Sequence, residues 1–243
     1  ISALEEELSE MTKRRSQARA RRKKDNVIAA AIVGYTNVGK STLLNALTDA
    51  GVLAENMLFA TLDTTARGLE LPDGRNVLLI DTVGLIRRLP HHLVEAFKST
   101  LEEASEADII LHIIDSSAND AYEQAEVTRN LLSELGCDGI PVINVLNKTD
   151  LAKDIDFEND SKTVKISAKH SQGLDSLLKC ICENLPETSK RMNLLIPFDK
   201  SGIINSIRKD GKIFSEEYLE NGTKIDALVD IKLISSVLPY KID

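Results

Sequence analysis

Apolar residues in this chain gather into short unbroken runs, and amphipathic stretches separate one run from the next. Val27-Ile28-Ala29-Ala30-Ala31-Ile32-Val33 lies within residues 26–34, Ile109-Ile110-Leu111-His112-Ile113-Ile114 within 108–115, and a third run spans 141–146. Runs of this kind, without alternation, predict strands buried on both faces, as in a parallel sheet. Between them, residues 40–49, 90–106, 119–135 and 171–185 repeat apolar side chains at helical spacing; Leu93, Val94, Phe97, Leu101 and Ala104 line one side of the second. Residues 67–71 and 76–80 flank the turn signal Pro72-Asp73-Gly74 and predict a hairpin, and 163–166 predict a short strand. Strand and helix thus alternate, which predicts an α/β fold with a mostly parallel sheet and helices on both faces.

The pattern changes at both ends. After Pro186-Glu187-Thr188-Ser189, residues 192–197, 212–219 and 224–231 read as strands and 202–209 as a helix, with Asn221-Gly222 as a turn. That order predicts a small α+β domain without a catalytic cluster of its own. Residues 2–24 read as a helix that begins with Glu5, Glu6, Glu7 and Glu10, ends with Lys and Arg, and has few apolar positions. The expected divisions are a basic helical segment over 1–25, a main domain over 26–186, a linker over 187–191 and the small domain over 192–243.

Composition changes this picture in two places. The net charge is −8, which excludes a generally basic nucleic-acid-coating surface, yet residues 13–24 hold eight basic residues and no acidic one. This arm reads either as a contact for RNA phosphates or as the solvated end of a domain whose remainder is missing. The chain begins with Ile1 rather than Met, which fits a missing N-terminal portion. Cys137, Cys180 and Cys182 form neither a disulfide framework nor a zinc pattern, and no apolar run is long enough to span a membrane. A cytoplasmic location is expected.

The chemistry begins where the first apolar run ends. Gly34-Tyr35-Thr36-Asn37-Val38-Gly39-Lys40-Ser41 reads G-x-x-x-x-G-K-S between a strand and a helix that opens with Thr42, the setting that a phosphate-binding P-loop requires. Backbone N–H groups and a helix N-terminus favour an anion there, Lys40 supplies a point charge, and the Ser41 hydroxyl suits Mg²⁺. The segment 51–66, with Phe59-Ala60-Thr61-Leu62-Asp63-Thr64-Thr65, is long and lacks a period; Thr61, Thr64 and Thr65 are candidates for a second hydroxyl ligand. A strand ends in Asp81-Thr82-Val83-Gly84, where Asp81 suits the metal shell and Gly84 can offer its N–H to a γ-phosphate. Another ends in Asn147-Lys148-Thr149-Asp150: the Asp150 carboxylate can accept from N1–H and the N2 amino group of guanine together, while the Lys148 stem lies along the ring. Ser167-Ala168-Lys169 follows and would close over the base edge. His112 reads as a hydrogen-bonded core residue rather than a ligand.

These motifs, in this order and at these intervals, resemble a translation-factor-type small GTPase, and DTVGLIRRLPHHLVEAFKSTLEEA with FATLD is similar to the HflX family of ribosome-associated GTPases. The resemblance implies a Ras-like P-loop GTPase fold, GTP and GDP as substrate and product, Mg²⁺ held by Ser41, Thr61 and Asp81, and Thr61 as the preferred switch ligand. It also implies the large ribosomal subunit as partner, in splitting or rescuing ribosomes under stress. Lys40, Thr61 and Gly84 would serve the chemical step. Many small GTPases have Gln after D-x-x-G to orient water, whereas this chain has Leu85, whose side chain cannot hydrogen-bond; turnover without a partner is therefore expected to be slow. His91 and His92 are alternative water-orienting groups, although they also suit a surface helix start. Three readings stand: a ribosome-dependent GTP hydrolase, a nucleotide-gated binding module with negligible hydrolysis, and a GTPase acting on another RNA or protein assembly.

Overall fold

A computed structural model of the chain describes residues 27–50, 66–82, 104–151, 157 and 160–242. The described residues divide into two compact units, one comprising those up to Pro72 together with Asn76–Leu185 and the other comprising Asp73–Arg75 and Pro186–Asp243. In the first unit, β1 (Ile28–Gly34), β2 (Ala66–Glu70), β3 (Asn76–Asp81), β4 (Ile109–Asp115), β5 (Val142–Asn147) and β6 (Thr163–Lys165) form one sheet in the order β2-β3-β1-β4-β5-β6. β1 pairs in parallel with β3 and β4, and β5 in parallel with β4 and β6; β2 closes one edge as the antiparallel arm of the predicted hairpin. Among the described residues, the α-helices that pack with this sheet are α1 (Lys40–Ala50), α2 (Ala121–Glu134) and α3 (Leu174–Asn184).

The two faces of the sheet follow from the two-residue period of a strand. Ile28, Ala30 and Ile32 of β1 pack in one cluster with Leu43 and Leu47 of α1 and Leu177 and Ile181 of α3. Ala31 and Val33 point the other way, into a cluster with Ile110 of β4, Leu132 of α2 and Cys137. Every residue of β1 is buried, so the run of apolar side chains is used on both faces and not on one. Parallel connection then brings the carboxyl ends of β1, β3, β4 and β5 to one rim of the sheet, where strand order reverses about β1, the position at which open α/β sheets hold ligands.

His112 is a core residue of β4: it is 1% exposed, and its Nδ1 lies 3.2 Å from Asn144 Oδ1 on β5. Burial, reinforced by the charge of Arg129 and only partly opposed by Asn144, lowers its pKa from 6.5 to about 4. The imidazole is therefore neutral in the folded protein, while the unfolded chain takes up its proton near pH 6.5. Folded-state stability is accordingly present above that pH and declines as pH falls toward 4, by roughly 3 kcal/mol if the whole shift is expressed. Denaturant unfolding of the wild type across this window should show that decline, and His112→Leu should flatten it. Equal slopes in the two proteins would remove His112 as the cause.

The second unit contains β7 (Ser189–Ile196), α4 (Gly202–Asp210), β8 (Lys212–Leu219), β9 (Gly222–Asp230) and α5 (Ile231–Val237). Its antiparallel sheet runs β7-β9-β8, and Met192, Leu194, Ile196, Ile225, Ala227 and Val229 form its core with Ile204 and Ile207 of α4. Two expectations need correction. Ser189 to Arg191, read as linker, belong to β7, where they pair with Leu228 to Asp230. The last strand stops at Asp230, whose side chain caps α5 by accepting from Lys232 N at 2.8 Å; no helix was read there from the sequence. The outer edge of β7 is met by Lys241 and Ile242, with Ile242 N donating to Asn193 O at 2.9 Å.

Candidate functional site

The loop between β1 and α1 is shaped by close approaches at its two glycines. A Cβ on Gly34 would lie 2.4 Å from the Ile113 carbonyl oxygen, and one on Gly39, whose φ is 98°, would lie 2.4 Å from Asn147 Nδ2. Neither position admits a side chain without displacement. Val38 anchors the loop by burying its side chain in the core. Tyr35 packs against both core clusters. Thr36 is half-buried, and Asn37 and Thr42 are exposed, Asn37 with a left-handed φ of 61°. Lys40, the first residue of α1, is 8% exposed and donates from Nζ to the carbonyls of Gly34 (3.1 Å) and Tyr35 (2.9 Å). Burial lowers its pKa, and the nearby Asp81 carboxylate works against that shift. An ammonium held by main-chain carbonyls at a helix N-terminus suits an anionic group that can take their place.

Beside it, the Ser41 hydroxyl donates to Asp81 Oδ2 at 2.8 Å, joining the first turn of α1 to the end of β3. Asp81 Oδ1 is buried and has no hydrogen-bond partner. A buried carboxylate oxygen left without a donor calls for a cation or water, and a hydroxyl with a carboxylate is an all-oxygen donor set suited to Mg²⁺. The residues present therefore fit that ion. Thr82, next along, donates from Oγ1 to Ile32 O at 2.7 Å, so its side chain fastens β3 to β1.

The third part of the rim forms around the end of β5. Asn147 is 2% exposed, and its side chain does not face outward: Nδ2 donates to Val38 O at 2.8 Å, and Oδ1 accepts from Ala168 N at 3.0 Å. It thus ties the P-loop to the turn after β6. Thr149 holds the same turn, its Oγ1 donating to Ile166 O at 2.9 Å. The Ser167 hydroxyl donates to Asp150 Oδ1 at 2.6 Å, and His170 Nε2 lies 3.5 Å from Oδ2. The Ser167 hydrogen bond, with a backbone hydrogen bond and the nearby Lys169 charge, keeps the Asp150 carboxyl below its ordinary pKa, so it remains an acceptor. Lys169 itself is exposed.

Lys148 has a left-handed backbone, with φ 64°, and its Nζ is 2.6 Å from Asp115 Oδ2 at the end of β4. Burial would raise the Asp115 pKa, but hydrogen bonds from Lys148 and Ser117 outweigh it and lower the value. Asp115 and His170 were not read from the sequence as part of the site. A carboxylate at the end of a buried strand was the available signal for the first; nothing in the sequence marked the second. The structure brings together Gly34 to Thr42, Asp81, Thr82, Asn147 to Asp150 and Ser167 to Lys169. Phe59, Ala60, Thr61, Leu62, Asp63, Thr64, Thr65, Val83, Gly84, Leu85, His91, His92 and the basic arm over 13–24 lie outside the described residues. Among the described residues, no group of three or more His, Cys, Asp or Glu side chains could hold a metal, and no helix is long and apolar enough to cross a membrane.

The family described as 50S ribosome-binding GTPase matches residues 29–148. The GTPase HflX of Caldanaerobacter subterraneus is 48% identical over 233 residues, covering 96% of this chain and 54% of that protein. The GTPase HflX of Lacrimispora saccharolytica is 48% identical over 244 residues, covering 98% and 57%. A GTP-binding protein from the archaeon Sulfolobus solfataricus, solved in complex with GDP, matches with a TM-score of 0.53 and 28% identity over 64% of this chain and 51% of that one. The chain therefore spans a little over half the length of the curated relatives it matches.

Proposed function

We propose, because the chain belongs to the HflX family of GTPases, that it binds guanine nucleotide with Mg²⁺ and hydrolyses GTP to GDP and phosphate as a switch on the large ribosomal subunit, in ribosome splitting or rescue. The observation that carries the nucleotide part is the Asn147 side chain. By bonding Val38 O and Ala168 N at once, it ties the loop after β1 to the turn whose Ser167 bonds Asp150, which supports a site for phosphate and base on one rim. The 50S ribosome-binding description of the matching family supports the partner.

In this reading the P-loop amides and Lys40 hold the phosphates, and charge moving toward the β–γ bridge is met by groups already in place. Ser41 and Asp81, with Thr61, would hold Mg²⁺, which would supply further charge compensation. Asp150, oriented by Ser167, reads the guanine edge. Gly84 offers its N–H to the γ-phosphate. The attacking water is the step for which this chain lacks the common group, since Leu85 can neither donate nor accept. Slow turnover in isolation follows, with the missing group supplied by the partner or by another residue.

Single-turnover GTP cleavage tests this directly, with and without large ribosomal subunits and with and without Mg²⁺. Slow cleavage that subunits and Mg²⁺ accelerate is the expected result. Fast cleavage by the isolated chain would overturn the role given to Leu85. Nucleotide binding with no cleavage under any condition would instead favour a nucleotide-gated binding module, the second reading that Leu85 supports.

A further inference from the structure

We infer that Asp115 is a positioning residue for base recognition that acts through Lys148, holding the ammonium so that the methylene stem of the lysine is what meets the plane of the base. The inference rests on the reading of the ligand as a guanine nucleotide. It starts from register: β4 and β5 are adjacent and parallel, and Asp115 stands opposite Asn147, the first residue of the N-K-T-D turn. The turn after β4 is fastened to that point, because Ser116 donates to Asn147 O from both N (2.9 Å) and Oγ (2.6 Å).

Asp115 then divides its two oxygens. Oδ1 accepts from Ser117 N at 3.0 Å and Ser117 Oγ at 2.6 Å, which fixes the plane of the carboxylate. Oδ2 is left for Lys148 Nζ at 2.6 Å. The side chains are 15% and 30% exposed, so this pair is shielded from water more than a surface ion pair is.

A lysine is a flexible side chain on which to build a flat binding surface. Its four methylenes carry considerable rotamer entropy, and an unpaired ammonium would stay in water and leave the stem free to move. Lys148 also sits in the left-handed region, which a residue with a Cβ seldom adopts. The ion pair fixes one end of the stem and the backbone fixes the other. Ordering the stem before the ligand arrives removes that entropic cost from binding.

A double-mutant cycle on nucleotide affinity tests the inference. Affinity for fluorescent GDP is measured for the wild type, Asp115→Asn, Asp115→Ala, Lys148→Ala and the double variant Asp115→Ala with Lys148→Ala, alongside thermal midpoints. Asp115→Asn, which keeps the shape and a Ser117 acceptor, should weaken GDP by about tenfold, as should Asp115→Ala. Asp115→Ala should have little further effect once Lys148 is Ala, because its route of action has been removed. Losses that add fully in the double variant, or a loss that follows the thermal midpoint alone, would overturn the role. Asp150→Asn is assayed in parallel against guanine and xanthine nucleotides. If that variant keeps its guanine preference, the base-site reading fails; if it changes preference while the cycle is additive, the Asp115 inference alone fails.

Discussion

Asp150→Asn is expected to move nucleotide preference from guanine to xanthine. The Asp150 carboxylate has two acceptor oxygens, and Ser167 donates to one of them at 2.6 Å. An amide in the same place keeps one oxygen and gains an NH₂ group. With Ser167 donating to the amide oxygen, the NH₂ faces the base edge, where guanine also presents donors. Two donors facing each other leave both unsatisfied, so affinity for GDP should fall by on the order of 10³ to 10⁴. Xanthine carries a carbonyl where guanine has its amino group and can accept from that NH₂, so xanthosine diphosphate should bind the variant better than GDP does. Competition of the two nucleotides against a fluorescent diphosphate measures the exchange. Unchanged GDP affinity would remove Asp150 from the base pocket. The thermal midpoint should move little, since Asp150 lies on the turn and not in the core.

Asn147→Ala should damage the folded state and nucleotide binding together. The substitution removes the donor to Val38 O and the acceptor for Ala168 N, and Val38 and Ala168 are 2% and 3% exposed. Each group left without a partner away from water costs about 1–3 kcal/mol. Together they are a sizeable part of the roughly 5–15 kcal/mol by which a domain is stable, and the thermal midpoint should fall by on the order of 10 °C. Asn147→Asp separates the two bonds: the carboxylate still accepts from Ala168 N but repels the Val38 carbonyl, so the loss should fall mainly on the phosphate end. Calorimetric unfolding with GDP titration checks both variants. A midpoint within a degree or two of the wild type for Asn147→Ala would show that water replaces the side chain and that the tie is unimportant.

β1, β4 and β5 could be read from sequence because burial on both faces demands unbroken apolar runs, and few other structures do. The second unit was harder to bound. Lys224 to Ile231 reads as one strand by composition, but the carboxylate of Asp230 meets the Lys232 amide and turns the chain into α5. Ser189, Lys190 and Arg191 looked like linker because a short edge strand shows water its polar side chains; only pairing with β9 reveals it. In the site, motif spacing gave residue types but not directions. Asn147 was grouped with the base because of its motif, whereas its amide is used within the protein. Asp115 was passed over because it lies 33 residues before Lys148 in the chain, a proximity that only parallel pairing of β4 and β5 creates.

Lys40 has a consequence for how a ligand reaches the rim. Its ammonium is already out of bulk water and bonded to the Gly34 and Tyr35 carbonyls, so much of its desolvation cost is met when the chain folds. Its field is correspondingly short in reach, since two carbonyl dipoles oppose it. A chain with net charge −8 therefore meets a nucleotide polyanion without a strong attractive beacon at long distance. On the proposed reading, capture would depend on contact at the loop, where a phosphate would exchange places with the carbonyls. Ionic strength then acts chiefly by screening the repulsion between chain and nucleotide, the opposite of its action on an electrostatically steered encounter.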